Sequence, residues 1–265
     1  YVLTVHDLNH IDRPDNSSSA KRLYYHLVLR RLCRRARAVL TVSEFSRERI
    51  SSWMGIDPRR VFNVGNGVSG VFSNVGELWG DGREYVLCVS NRRGHKNEPA
   101  VVAAFAAAAL PASVGLVFTG EETAMLREQA RSLGVGERLV FTGRVTEETL
   151  AALYRGALCL CFVSLYEGFG LPIVEAFASD TPVITSNVTS MPEIAGDATL
   201  LVDPNDVAAI AAALRRIHED SDLRGELVAR GRVRMASFTW DAVADRMKAA
   251  IAAVDDDHAH RLDWN

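Results

Sequence analysis

Two kinds of hydrophobic pattern alternate along the chain. Short continuous apolar runs, such as Leu158-Cys159-Leu160-Cys161-Phe162-Val163, read as strands buried on both faces. Between them lie longer stretches in which apolar positions recur every third or fourth residue, the period of an amphipathic helix. From residue 84 onward the alternation is regular: strands are expected at 85–90, 114–119, 139–142, 158–163 and 182–185, and helices at 99–109, 123–133, 147–156 and 171–179. This order predicts a doubly wound parallel sheet. A short helix at 190–193, a strand before Asp203-Pro204 and helices at 207–218, 222–236 and 241–254 follow. Ahead of residue 84 the same signals are sparser. Strands are expected at 1–5, 38–42 and 61–64, helices at 20–37 and 43–54, and a polar loop with Pro14 and Ser17-Ser18-Ser19 at 9–19. The chain is therefore read as part of one Rossmann-like domain at 1–72, a linker at 73–83, a complete Rossmann-like domain at 84–254 and a disordered tail at 255–265.

Composition narrows the classes. With 265 residues, ordinary apolar content and no apolar run of membrane-spanning length, the chain reads as a globular protein with room for two domains or one large one. Cys33, Cys88, Cys159 and Cys161 show no metal-ligand spacing; Cys159 and Cys161 alternate within an expected strand and read as core residues, and a reducing, cytoplasmic setting fits. The chain begins at Tyr1 inside a strand-like run, which reads as the later part of a longer protein. Charge is unevenly spread: residues 1–72 carry a balance of +6 and the rest −9. Much of the excess lies at 20–37, where Lys21, Arg22, Arg30, Arg31, Arg34, Arg35 and Arg37 interleave with Leu23, Leu27 and Leu32. Such a helix suits either a solvated face or peripheral contact with an anionic membrane. No nucleic-acid partner is expected.

The chemistry concentrates at Glu167-Gly168-Phe169-Gly170-Leu171-Pro172-Ile173-Val174-Glu175. An apolar strand runs into a glycine-flanked turn, and Pro172 fits the first turn of the helix that follows. Free N–H groups and the positive dipole end at such a helix start attract anions. The glycines permit close backbone approach, and Glu167 and Glu175 bracket the turn as acceptors for paired hydroxyls. Phosphates flanked by hydroxyl-bearing rings, as in a nucleotide sugar, fit this set. The other cationic strand end is Ser90-Asn91-Arg92-Arg93-Gly94-His95-Lys96-Asn97, where Lys96 and one of Arg92 or Arg93, with Arg92 favoured, suit a diphosphate.

These motifs resemble the Glu-x7-Glu signature of the retaining GT-B glycosyltransferases of family 4, and the resemblance runs from Val5 to about Val254. It extends to His6-Asp7-Leu8, Ser43-Glu44-Phe45-Ser46, Asn66-Gly67-Val68, Lys96-Asn97, Pro192-Glu193 and Gly196-Asp197-Ala198. It implies transfer of a mannose- or glucose-type hexose from a nucleoside-diphosphate sugar, GDP-mannose preferred, to a glycan or lipid-linked acceptor in polysaccharide assembly. No metal or cofactor is implied. It implies catalytic roles for His6, Arg92, Lys96 and Glu167, with Glu175 on the ribose and Gly168, Phe169, Gly170 and Leu171 along the sugar and phosphates. Gly120 and Val145 would line the nucleobase corner. Two alternatives remain: a nucleotide-sugar-binding fragment without activity of its own, and a sugar-nucleotide epimerase of the same fold.

Overall fold

The computed structural model describes residues 1–262 and divides by contact density into two compact units. The first comprises Tyr1–Gly67, Tyr166–Phe169 and the segment from Ser237 onward; the second comprises Val68–Leu165 and Gly170–Ala236.

In the second unit six parallel strands are ordered β6-β5-β4-β7-β8-β9. They are β4 (Tyr85–Cys88), β5 (Gly115–Phe118), β6 (Leu139–Phe141), β7 (Cys159–Phe162), β8 (Val183–Ser186) and β9 (Leu200–Val202). Chain order reverses between β4 and β7, which pair through Val86 with Cys159 and Leu87 with Leu160. The β-branched and apolar runs expected from the sequence are these strands. Every residue of β4, β7 and β8 is buried, as a parallel sheet covered on both faces requires. One face packs Val86, Cys88, Leu116, Phe118, Cys159, Cys161 and Ile184 against Phe105, Leu126, Ile210 and Leu214 of the flanking helices. All four cysteines are free thiols in the core.

The stretch expected to be a linker, with Phe72 just ahead of it, packs within the second unit. Phe72 is buried against the Tyr154 ring, Arg155 binds the carbonyls of Ser73 and Glu77, and the Trp79 N–H donates to the Ala152 carbonyl. A donor side chain, Arg155, and an acceptor carbonyl, Ala152, on the helix Glu147–Gly156 hold it in place, and the linker's composition does not reveal them.

The first unit has a three-stranded parallel sheet, β1 (Val2–Thr4), β2 (Ala38–Thr41) and β3 (Val61–Asn63), in that order. The helix Glu44–Met54 opens with Ser43 as N-cap and closes on Gly55, as its sequence signals predict. Two segments differ from expectation. Residues 9–12 form a helical turn, because the Asp7 carboxylate accepts the Asn9 N–H and Leu8 is buried beneath it. The final helix runs Trp240–Leu262, into the stretch read as a disordered tail, whose last residues, 263–265, lie outside the described residues. The cationic stretch is one helical run, Ser19–Tyr24, Tyr25–Leu29 and Arg30–Arg35, with a π turn at its centre. Its Leu23, Tyr24, Leu27, Val28 and Leu32 are all exposed.

Candidate functional site

In the second unit the candidate residues gather where β4 and β7 end side by side, the position at which open parallel sheets bind ligands. After β4 the chain turns through Gly94–Lys96 into the helix Glu98–Ala107. Asn97, in the left-handed region at φ 58°, fastens this turn. Its side-chain amide donates to the carbonyls of Val163 (3.1 Å) and Pro204 (2.7 Å). The Leu165 N–H adds a bond to the His95 carbonyl at 2.7 Å. Lys96 is thereby set at the β7 end, its ammonium 4.8 Å from the centre of the Phe162 ring.

Beyond β7, Gly170 adopts φ 107°, a conformation that a residue with a Cβ rarely tolerates, and the helix Leu171–Ala178 starts directly behind it. No side chain caps this helix start. One turn in, Glu175 Oε2 accepts the Tyr154 hydroxyl at 2.7 Å. Burial pushes the Glu175 carboxyl above its usual range, an effect opposed by the Tyr154 bond and the Lys96 charge and reinforced by Glu147. Burial beside Glu175 holds the Tyr154 phenol well above its own range, so it remains a donor. Tyr154 is fully buried and its carbonyl accepts the Thr181 hydroxyl at 2.7 Å.

A second group lies at the ends of β5 and β6. Gly120 and Gly143 bridge these strands, the Gly120 N–H meeting the Gly143 carbonyl at 2.8 Å, and half-buried Val145 follows. Arg92 is built into this corner. Its Nε donates to the Glu121 carbonyl at 2.7 Å, Nη2 to the Gly120 carbonyl at 3.1 Å, and Nη1 pairs with buried Glu98. Its guanidinium also lies over the stacked rings of Phe118 and Phe141. The side chain favoured for phosphate on sequence grounds is therefore committed to protein partners, whereas neighbouring Arg93 is exposed.

The remaining candidates belong to the first unit. His6 is exposed at the end of β1, its carbonyl accepting the Thr41 hydroxyl at 3.1 Å. Glu167 is half-buried, Gly168 and Phe169 are buried, and the Phe169 ring meets Phe238 edge-on. A Cβ on Gly168 would stand 2.4 Å from the Asp7 Cβ, so only glycine fits there. Sequence reasoning missed Tyr154, which reads merely as an apolar position of its helix, and the ring pair beneath Arg92. No spacing rule discloses either partner. Among the described residues no three His, Cys, Asp or Glu side chains gather as a metal site.

Because Glu175 is protonated more readily when folded than when unfolded, its contribution to stability is greatest below the ordinary carboxylate pKa and is lost as pH rises through the raised folded value. Glu175→Gln should therefore gain stability relative to wild type at pH 7, and the gain should shrink toward pH 4. Urea denaturation at both pH values measures this, and a pH-independent difference would contradict it.

The comparisons with known proteins agree with one another. A profile described as glycosyl transferases group 1 matches residues 74–234, and one described as Glycosyltransferase Family 4 matches residues 1–69. O-antigen chain mannosyltransferase B of Escherichia coli is 30% identical over 258 residues, covering 91% of this chain and 67% of that protein. O-antigen chain mannosyltransferase RfbU of Salmonella typhimurium is 28% identical over 223 residues, covering 83% of this chain and 62% of that protein. The chain spans only 27% of the serotype-specific mannosyltransferase WbdA of Escherichia coli. Among solved structures, sucrose-phosphate synthase from Thermosynechococcus elongatus aligns at TM-score 0.80 and 26% identity, covering 95% of this chain and 67% of that one. The glycosyltransferase WaaG aligns at TM-score 0.74 and 17% identity, over 94% of this chain and 73% of that one, a likeness of fold. On the profile match across most of the second unit, the sheet order and the agreement of these relatives, the chain belongs to the glycosyl transferases group 1, family 4, with an α/β GT-B fold of Rossmann-like sheets.

Proposed function

We propose that the protein transfers a mannose-type hexose from a nucleoside-diphosphate sugar, GDP-mannose by preference, to a glycan or lipid-linked acceptor, with retention of anomeric configuration. The observation that carries this reading is the grouping in the second unit of Lys96, the uncapped helix start behind Gly170 and the Tyr154-held Glu175 carboxylate at the adjoining ends of β4 and β7. One cation and one helix N-terminus suit a diphosphate, and a fixed carboxylate suits the two ribose hydroxyls. The mannosyltransferase names of the relatives favour mannose.

In this reading Lys96 and the amides at Gly170–Leu171 stabilise charge growing on the departing diphosphate. Arg92 shapes the nucleobase corner through Gly120 and its neighbours, with Val145 beside it, instead of binding phosphate. Glu167 and the main chain at Gly168 and Phe169 hold the sugar, and His6 lies near the acceptor. The bond from the anomeric carbon to the phosphate oxygen breaks and a bond to the acceptor hydroxyl forms on the same face. The acceptor's proton passes to the departing phosphate oxygen. No metal is needed, so a chelator should leave turnover unchanged.

The helical run at 19–35 supports peripheral contact with an anionic membrane from the cytoplasmic side, because its exposed apolar residues are flanked by exposed Lys21, Arg31 and Arg35. Among the described residues no helix is long and apolar enough to cross a membrane. Because the chain spans part of the length of its relatives, a binding fragment without activity of its own is the competing reading.

Calorimetric titration with GDP, UDP, GDP-mannose and UDP-glucose tests the donor site. One nucleotide should bind saturably and Glu175→Ala should weaken it, whereas binding of none of the four would refute the reading. Lys96→Ala should reduce turnover on the order of a hundredfold, as when one charge-stabilising donor is lost, and near-normal turnover would remove Lys96 from the mechanism. Sedimentation with vesicles should require anionic lipid and weaken when Lys21, Arg31 and Arg35 are changed to Glu. Binding indifferent to lipid charge would exclude the membrane contact.

A further inference from the structure

Ser43 and Ser46 do more than start a helix. Ser43 Oγ accepts the Ser46 N–H at 3.0 Å, which is an N-cap's ordinary task. Its hydroxyl proton is then spent on the Gly168 carbonyl at 2.7 Å, and the Ser46 hydroxyl donates to the same carbonyl oxygen at 3.1 Å. Both serines are out of reach of solvent, at 0% and 1% exposure, so neither hydroxyl has bulk water as an alternative partner. One carbonyl thus has both of its lone pairs occupied by side chains more than a hundred residues away in sequence.

The residue on the other side of Glu167 is held as firmly. The Tyr166 hydroxyl donates to Asp12 Oδ2 at 2.9 Å, and Asp12 also receives the Arg49 Nε at 3.1 Å and pairs with Arg49 Nη2. Burial, together with the Asp12 charge, keeps the Tyr166 phenol well above its ordinary range, so it stays a donor. The Tyr166 ring also meets Phe45 edge-on at 5.6 Å. Asp7 closes the remaining space against Gly168. Tyr166 and Gly168 are therefore both immobilised, and Glu167 lies between them with a half-buried side chain.

Helix capping alone does not account for this arrangement. An N-cap needs one acceptor, and Ser43 without Ser46 would supply it. We infer that Ser43 and Ser46 are positioning residues for Glu167, fixing the main chain on its C-terminal side as Tyr166, Asp12 and Arg49 fix it on the other. The inference rests on the reading of Glu167 as the carboxylate that holds donor-sugar hydroxyls. Such a carboxylate must be placed to within a fraction of an ångström, since a displacement of about 1 Å can cost on the order of a hundredfold in rate.

Ser46→Ala is the cleaner variant because Ser43 keeps its cap. Two readouts separate positioning from bulk stability: the affinity for the nucleoside diphosphate alone, and the rate of donor-sugar hydrolysis by water, which needs no acceptor. With GDP and GDP-mannose, or UDP and UDP-glucose if that pair binds, Ser46→Ala should leave diphosphate affinity within about twofold. It should slow donor hydrolysis about tenfold or more. In a Glu167→Gln background the same substitution should change hydrolysis less than about twofold, because residues acting through one another are not additive. Ser46→Thr, which keeps the hydroxyl, should recover most of the rate. Unchanged hydrolysis in Ser46→Ala, or an equal loss with and without Glu167, overturns the inference while nucleotide binding still stands. Absence of nucleotide binding by the wild-type chain overturns the donor-site reading and this inference together.

Discussion

Parallel pairing of β4 with β7 is the constraint on which the rest of the second unit depends. Hydrogen bonds through Val86 and Leu87 align two strands that are about seventy residues apart in sequence. Parallel alignment puts both carboxyl ends on one edge, and the reversal of chain order there keeps the following helices on opposite faces of the sheet. The turn carrying Lys96 and the helix start behind Gly170 become neighbours for that reason. Neither needs to be adjacent in sequence, and neither could be brought there by an antiparallel hairpin. The cost of burying strands on both faces is met by the apolar content of β4, β7 and β8, which leaves polar chemistry to the strand ends.

Those ends are stitched by side chains whose burial makes each bond consequential. Thr119 Oγ1 accepts the Ser90 N–H, Thr185 donates to the Phe162 carbonyl, and Ser186 donates to the Ser164 carbonyl. Main-chain groups that leave the ladder at the strand ends would otherwise be buried unpaired, at a penalty of about 1–3 kcal/mol each. Glu175 shows the same economy in a titrating group. Its burial disfavours the charged form, and the Tyr154 hydroxyl partly restores it. A buried phenol thus fixes one oxygen of this carboxylate in place.

Arg92 shows what a charge motif leaves open. Three cations at a strand end suit a diphosphate by composition, and nothing in their spacing says which of them turns inward. In the structure Arg92 takes a positive φ of 61°, and its guanidinium reaches Glu98, two carbonyls and two aromatic rings. A planar group with several donors fits such a corner better than a point charge would. Lys96, a compact ammonium, stands at the β7 end near the Phe162 ring. In the linker, too, composition does not disclose the partners: Arg155 and Ala152 on one helix supply bonds that order it.

The sequence alone determined the order and type of most elements, the parallel character of the larger sheet, the glycine-flanked turn before Pro172 and the family. These properties are encoded locally, by apolar periodicity over a few residues, by Pro and Gly at helix boundaries, and by a motif contiguous in the chain. Tertiary structure decided which polar groups meet: Tyr154 with Glu175, Ser43 and Ser46 with Gly168, Tyr166 with Asp12, and Arg92 with Glu98. Most of these pairs join residues on separate elements, up to 154 positions apart in the case of Asp12 and Tyr166. Periodicity reports only which face of an element is buried. It carries no information about which donor on one buried face will lie opposite an acceptor on another, because that is set by how strands and helices pack in three dimensions.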